Sequence, residues 1–141
     1  IAEWDSQEGK LLSVEDISFE LPAGWHAEVY QNIGQQNALL SHESTSQDYP
    51  TTISVSCPPD GKGLEAATKL STEDRSFTRN GQTYSVSLQN WTAPGNDPWY
   101  FIFVNAEATE SSPGISCLVH GKSDEESVMA LQTMFKTINA N

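Results

Sequence analysis

Runs in which apolar and polar residues alternate recur along this chain, and turn residues bound almost every one of them. Ile17, Phe19 and Leu21 alternate with Ser18 and Glu20. Ile53, Val55 and Cys57 alternate with Ser54 and Ser56. Tyr84, Val86 and Leu88 alternate with Ser85, Ser87 and Gln89, and Ile115, Cys117 and Val119 close the series. A period of two places every second side chain on one face of a strand, so each run predicts a strand with one buried face. Pro22–Gly24, Pro58–Gly61, Pro94–Pro98 and Ser111–Gly114 punctuate the runs. Asn80-Gly81 is the strongest hairpin signal, because a type I′ turn needs positive φ at both central residues. It links Arg75–Arg79 to Thr83–Trp91. Hairpin connections of this kind predict a mainly antiparallel sheet.

Two segments depart from alternation. Trp99–Val104 is apolar throughout, which predicts a central strand covered on both faces. The C-terminal segment has helical spacing, with Val128, Leu131, Phe135 and Ile138 on one stripe and Met134 beside it. Ser123 and Glu126 form a capping box at its start, Asp124 and Glu125 suit the positive end of the helix dipole, and Lys136 suits the negative end. A mid-chain helix is also expected over Leu64–Asp74. The predicted class is therefore α+β: an α/β/α sandwich with a mainly antiparallel sheet, a mid-chain helix and a C-terminal amphipathic helix. With 141 residues the chain suits one domain, over 10–141. Residues 1–9 form an acidic lead-in, expected to be mobile in part.

Charge narrows the partners. Seven basic and 19 acidic residues give −12 at pH 7. Nucleic acid is excluded as a partner, because phosphates require Lys and Arg to neutralise them. Docking on an anionic membrane surface is disfavoured for the same reason. No apolar run is long enough to span a bilayer, so no membrane insertion by this chain is expected. The chain begins at Ile1, which leaves room for a processed leader and a lipid anchor upstream. Cys57 and Cys117 are an even pair, each inside a predicted strand. A bond between them would close a loop of about 60 residues, worth roughly 4 kcal/mol in the chain-entropy model. Two reduced core thiols are the alternative reading. The pair, the few lysines and arginines and the many Ser, Thr, Asn and Gln residues suit an extracytoplasmic protein, secreted or in the cell envelope.

The segment Ile17–Trp25, ISFELPAGW, resembles the opening signature of the PsbP-like superfamily, an alternating strand followed by Leu-Pro-x-Gly-Trp. The resemblance implies an α/β/α sandwich over about residues 10–139. It also implies a secreted or lipid-anchored accessory protein that binds a protein partner. The motif has a physical reading of its own. Pro22 presets φ, Gly24 permits a positive φ, and Trp25 enters the core.

Few residues suggest chemistry. His26, His42 and His120 show no metal-ligand spacing, and no Cys-x-x-Cys occurs. Ser116 lacks the Gly-x-Ser-x-Gly elbow. Cys117 and His120, three apart in a strand, point to opposite faces and cannot pair as nucleophile and base. Asp60–Gly63 lacks phosphate-loop spacing. Asn96 and Asp97 are a weak calcium candidate without EF-hand spacing. Asn90–Thr92 is a glycosylation sequon by chance. The one binding hint is aromatic. Trp91 and Trp99 flank the Pro94–Pro98 loop, with Tyr100 beside Trp99, and exposed tryptophan can stack on a sugar or anchor a partner.

The sequence thus leads to a non-enzymatic extracytoplasmic binding or accessory module acting through a protein partner. Trp91, Asn96, Asp97, Trp99 and Tyr100 are its weak binding candidates, Cys57 and Cys117 its disulfide candidate, and no cofactor or metal is expected. The competing expectation is a small hydrolase or small-ligand binder with a site assembled from distant loops.

Overall fold

In a computed structural model the described residues are 2–5, 11–32, 35–42, 52–57, 67–93, 99–110, 114–122 and 125–140. The alternating runs become strands. These are β1 (Ala2–Asp5), β2 (Leu11–Val14), β3 (Ile17–Glu20), β4 (Trp25–Asn32), β5 (Gln35–His42) and β6 (Thr52–Cys57). After them come β7 (Thr68–Arg79), β8 (Gln82–Ala93), β9 (Trp99–Ala106) and β10 (Ile115–Lys122). A helix, α1 (Glu125–Thr137), and a two-residue strand, β11 (Asn139–Ala140), complete the order.

Eight strands form one sheet in the order β1-β4-β5-β6-β10-β9-β8-β7, and β11-β3-β2 form a second sheet. Every pairing is antiparallel. The large sheet is two meanders. One runs β4-β5-β6, the other β7-β8-β9-β10, and they join where β10 pairs with β6. Ala2–Asp5, placed in the acidic lead-in by the sequence reading, pairs as β1 with the edge of β4.

Turn chemistry accounts for the local geometry. Asn80 and Gly81 have φ of 54° and 78°, as a type I′ turn requires, and they set Arg79 opposite Gln82. Gly24 has φ 84°, and the Trp25 amide donates to the Pro22 carbonyl at 3.2 Å. This tight turn drops Trp25 into the core at 4% exposure. Trp99–Val104 lies in an interior strand, as its unbroken apolarity predicts.

The inner face of the large sheet carries the main core. Ala27, Leu40, Ile53, Val55, Val86, Leu88, Ile102, Val104 and Val119 pack there with both cysteines. Leu12, Val14, Ile17 and Phe19 of the small sheet, and Ala130, Leu131 and Met134 of α1, cover it. Two contacts fasten the end of α1. The Glu20 amide donates to Thr137 Oγ1 at 3.0 Å, and Ala140 pairs with Ile17.

Two corrections follow. Thr68–Asp74 lies in β7, so the mid-chain helix expected over Leu64–Asp74 is not formed there; residues 64–66 lie outside the described residues. Thr68, Ser71, Thr72 and Asp74 are weak helix formers, while β8 offers a ladder extending from the Asn80-Gly81 turn to Thr92. Pairing with that ladder overrides the helical spacing of a few apolar residues. With one helix among the described residues, the α/β/α sandwich gives way to a mostly β fold of two antiparallel sheets. The helix and the small sheet share one side of the large sheet. Ser123 and Asp124 of the expected cap lie outside the described residues.

Candidate functional site

Cross-strand register defines the outer face of the large sheet. One row runs Glu28, Leu39, Ser54, His120, Phe101, Trp91. The next runs Tyr30, Asn37, Ser56, Leu118, Phe103, Gln89. Lys122 and Trp99 pair on the other side of the first row. Trp91, Trp99, Phe101, Phe103 and His120 therefore share one surface, three of them from β9 because alternate residues of a strand share a face.

The rings meet. His120 lies 5.4 Å from the Trp99 ring centroid and 5.9 Å from that of Phe101. Phe101 and Leu118 are buried, at 7% and 5% exposure, yet both stand apart from the main core cluster. The outer face thus has an apolar cluster of its own. Trp91 and Trp99 are half-buried.

Polar groups border the rings. Trp91 Nε1 donates to Gln89 Oε1 at 2.9 Å, and Gln89 Nε2 donates to Ser87 Oγ at 3.5 Å. Beside His120 lies a shallow depression of about 310 Å³, lined by Tyr30, Asn37, Leu39, Ser54 and Ser56. The Tyr30 hydroxyl donates to Glu28 Oε2. Between Glu28 on one flank and Lys69 and Lys122 on the others, the two central rows carry hydroxyls, amides, an imidazole and rings but no fixed charge.

The binding residues read from the sequence are divided by this geometry. Trp91 and Trp99 come together on the outer face. Tyr100 follows Trp99 in β9 and points to the inner face, where it packs against the core. Asn96 and Asp97 lie outside the described residues. Phe101, Phe103, His120, Ser54 and Ser56 join the site. Their alternation was visible in the sequence, but which strands stand side by side was not.

The three histidines do not converge. His26 and His120 are on the outer face, while His42 faces inward against Trp25, with ring centroids 5.3 Å apart. His42 Nδ1 is 3.6 Å from Glu126 Oε2. Among the described residues, no group of three or more His, Cys, Asp or Glu is placed to hold a metal ion. No helix among them is long and apolar enough to cross a membrane.

Cys57 and Cys117 are bonded, with Cα atoms 4.4 Å apart, and both are buried. No family model, no curated protein and no solved structure matches this chain.

Proposed function

We propose that this chain is a non-enzymatic binding module that works outside the cytoplasm and takes a neutral glycan on the outer face of its large sheet. The observation that carries the reading is the shared surface of Trp91, Trp99, Phe101 and His120, bordered by uncharged hydroxyls and amides. A pyranose ring has an apolar C–H face that packs on aromatic rings, and hydroxyls at its rim that exchange hydrogen bonds with Ser, Asn and Gln. The −12 charge of the protein is absent from the centre of this face, which favours an uncharged ligand.

The face suits a glycan better than the protein partner expected from sequence. Protein interfaces are enriched in Arg and Met and depleted in Ser. Here Ser41, Ser54, Ser56, Ser87 and Ser116 share the sheet face, and no arginine does. The buried disulfide supports an oxidising compartment, where such bonds persist.

The test is binding of the purified protein to immobilised neutral polysaccharides (glucans, mannans and chitin), with heparin as a polyanion control. Trp91→Ala and Trp99→Ala are compared with Met129→Ala, an exposed position on α1. The expected result is retention on at least one neutral glycan, weakened about tenfold or more by either tryptophan change and not by Met129→Ala. Retention on none of them, or equal effects of all three variants, overturns the glycan reading. A purified protein partner lost on the same tryptophan changes would replace it with the protein reading.

A further inference from the structure

A second site lies on the other side of the large sheet and is independent of the glycan reading. The stripe of α1 that faces the core is Ser127, Ala130, Leu131 and Met134. This rotation leaves Val128 and Phe135 half-buried at the flank of the helix. Opposite them stand Tyr100 and Ile102 of β9, with Leu70 of β7 exposed at the rim. Between helix and strands runs an apolar groove of about 380 Å³.

Polar groups lie at its margins. Asn90 Nδ2 donates to Ser71 Oγ at 3.0 Å, closing one wall. Gln132 and Lys136 stand at the helix side. The Arg75 guanidinium lies 5.4 Å from the centroid of the Phe135 ring. It donates to the Ile138 carbonyl and pairs with Glu73 at 2.9 Å. Lys136 is one of only seven basic residues in the chain, and no carboxylate is among the residues that line the groove. An open apolar groove with a cation at its mouth matches a chain with an anionic end.

We infer that the groove between α1 and strands β7–β9 binds a free fatty acid, its chain along Val128, Leu131, Phe135 and Ile102 and its carboxylate at Lys136. The helix C-terminus is the negative end of the dipole, so an anion there depends on Lys136 to neutralise it. Burial of the chain makes affinity rise about fourfold for each methylene added, until the groove is full.

The test is calorimetric titration of the intact protein with decanoate, laurate and myristate below their micelle concentrations. Dodecanol and dodecyltrimethylammonium serve as the neutral and cationic counterparts of laurate. Saturable binding at one site, tightening with chain length, is the expected result. Lys136→Glu, a change at an exposed position, weakens laurate about tenfold or more and leaves dodecanol unchanged. Val128→Trp fills the groove and weakens both, with folding checked by circular dichroism. Absence of saturable laurate binding overturns the inference. So do equal affinity for dodecyltrimethylammonium, indifference to Lys136→Glu, or loss of laurate binding in Trp99→Ala, which would place the ligand on the outer face. Failure here leaves the glycan test untouched, because the two sites lie on opposite faces of the sheet.

Discussion

Cys57 and Cys117 face each other across the seam where the β4-β5-β6 meander meets the β7-β8-β9-β10 meander. The β6–β10 register sets Leu118 opposite Ser56, and one step further places the two cysteines opposite one another. Their Cα separation of 4.4 Å is that of a narrow, non-hydrogen-bonded antiparallel pair. Cys57 Sγ also lies 3.9 Å from the Val14 carbonyl oxygen of β2, so the bond sits between the two layers. One covalent link thus fixes register between halves that are 60 residues apart in the chain.

Removing that link is expected to cost about 4 kcal/mol, since the open chain regains the loop-closure entropy. The paired variant Cys57→Ala with Cys117→Ala should lower the urea midpoint accordingly. Thiol titration of the denatured, unreduced protein should find no reactive thiol. Two titratable thiols there would mean that the bond does not form.

Ser127 is fully buried, and its hydroxyl has no hydrogen-bond partner. Burying an unpaired hydroxyl is unfavourable, and Ala is the better helix former. Ser127→Ala should therefore stabilise the protein by about 1 kcal/mol, read as a higher midpoint in urea. A loss of stability instead would reveal an ordered partner for the hydroxyl.

Gly24 is expected to resist replacement. Its φ of 84° disfavours any side chain, and a Cβ would stand 3.0 Å from His42 Nε2. Gly24→Ala should cost about 1–2 kcal/mol. Gly81 has open space around its Cβ position, so Gly81→Ala meets the φ penalty without the contact and should cost less. Equal losses would show that the His42 contact adds nothing.

Arg75 joins β7 to the end of α1 through the Ile138 carbonyl and the Phe135 ring. Arg75→Leu should destabilise by about 1–2 kcal/mol. The Glu73 partner is half exposed, so Glu73→Gln should change stability by less than about 1 kcal/mol. Comparable losses for the two would assign the effect to the ion pair rather than to the helix clamp.

On the outer face, Phe101 is buried while Trp99 is not. Phe101→Ala should cost about 3 kcal/mol, as for a core aromatic. Trp99→Ala should cost clearly less while removing ligand binding. A larger loss of stability at Trp99 would make that residue structural.

Most strands were legible because alternation is a local property. Ile53, Val55 and Cys57 declare a buried face whatever they pack against, and Asn80-Gly81 declares its turn. The Trp25 turn was legible for the same reason, since Pro22 and Gly24 set it within four residues. The error over Leu64–Asp74 has the opposite origin. Leu70 and Ala67 suggested a helix, but the segment's partner is β8, and a ladder formed after the Asn80-Gly81 turn outweighs weak local preference. The stripe on α1 was read nearly correctly. Leu131 and Ile138 are buried, but the core takes Ser127 and Ala130, and it leaves Val128 and Phe135 at the groove.

By itself, the sequence determined the strand periodicity, the hairpin at Asn80-Gly81, the acidic surface and the cysteine pair as a candidate bond. These rest on neighbours in the chain, where the side-chain period and turn geometry operate. Tertiary structure alone decided which strands lie side by side. That choice brought β10 between β6 and β9, closed the disulfide at the seam, and assembled Trp91, Trp99, Phe101 and His120 on one face. It also separated Trp99 from Tyr100, since adjacent residues of a strand point to opposite sides. Long-range pairing is set by how both sheets and the helix bury their apolar faces together, and no local window of residues contains that information.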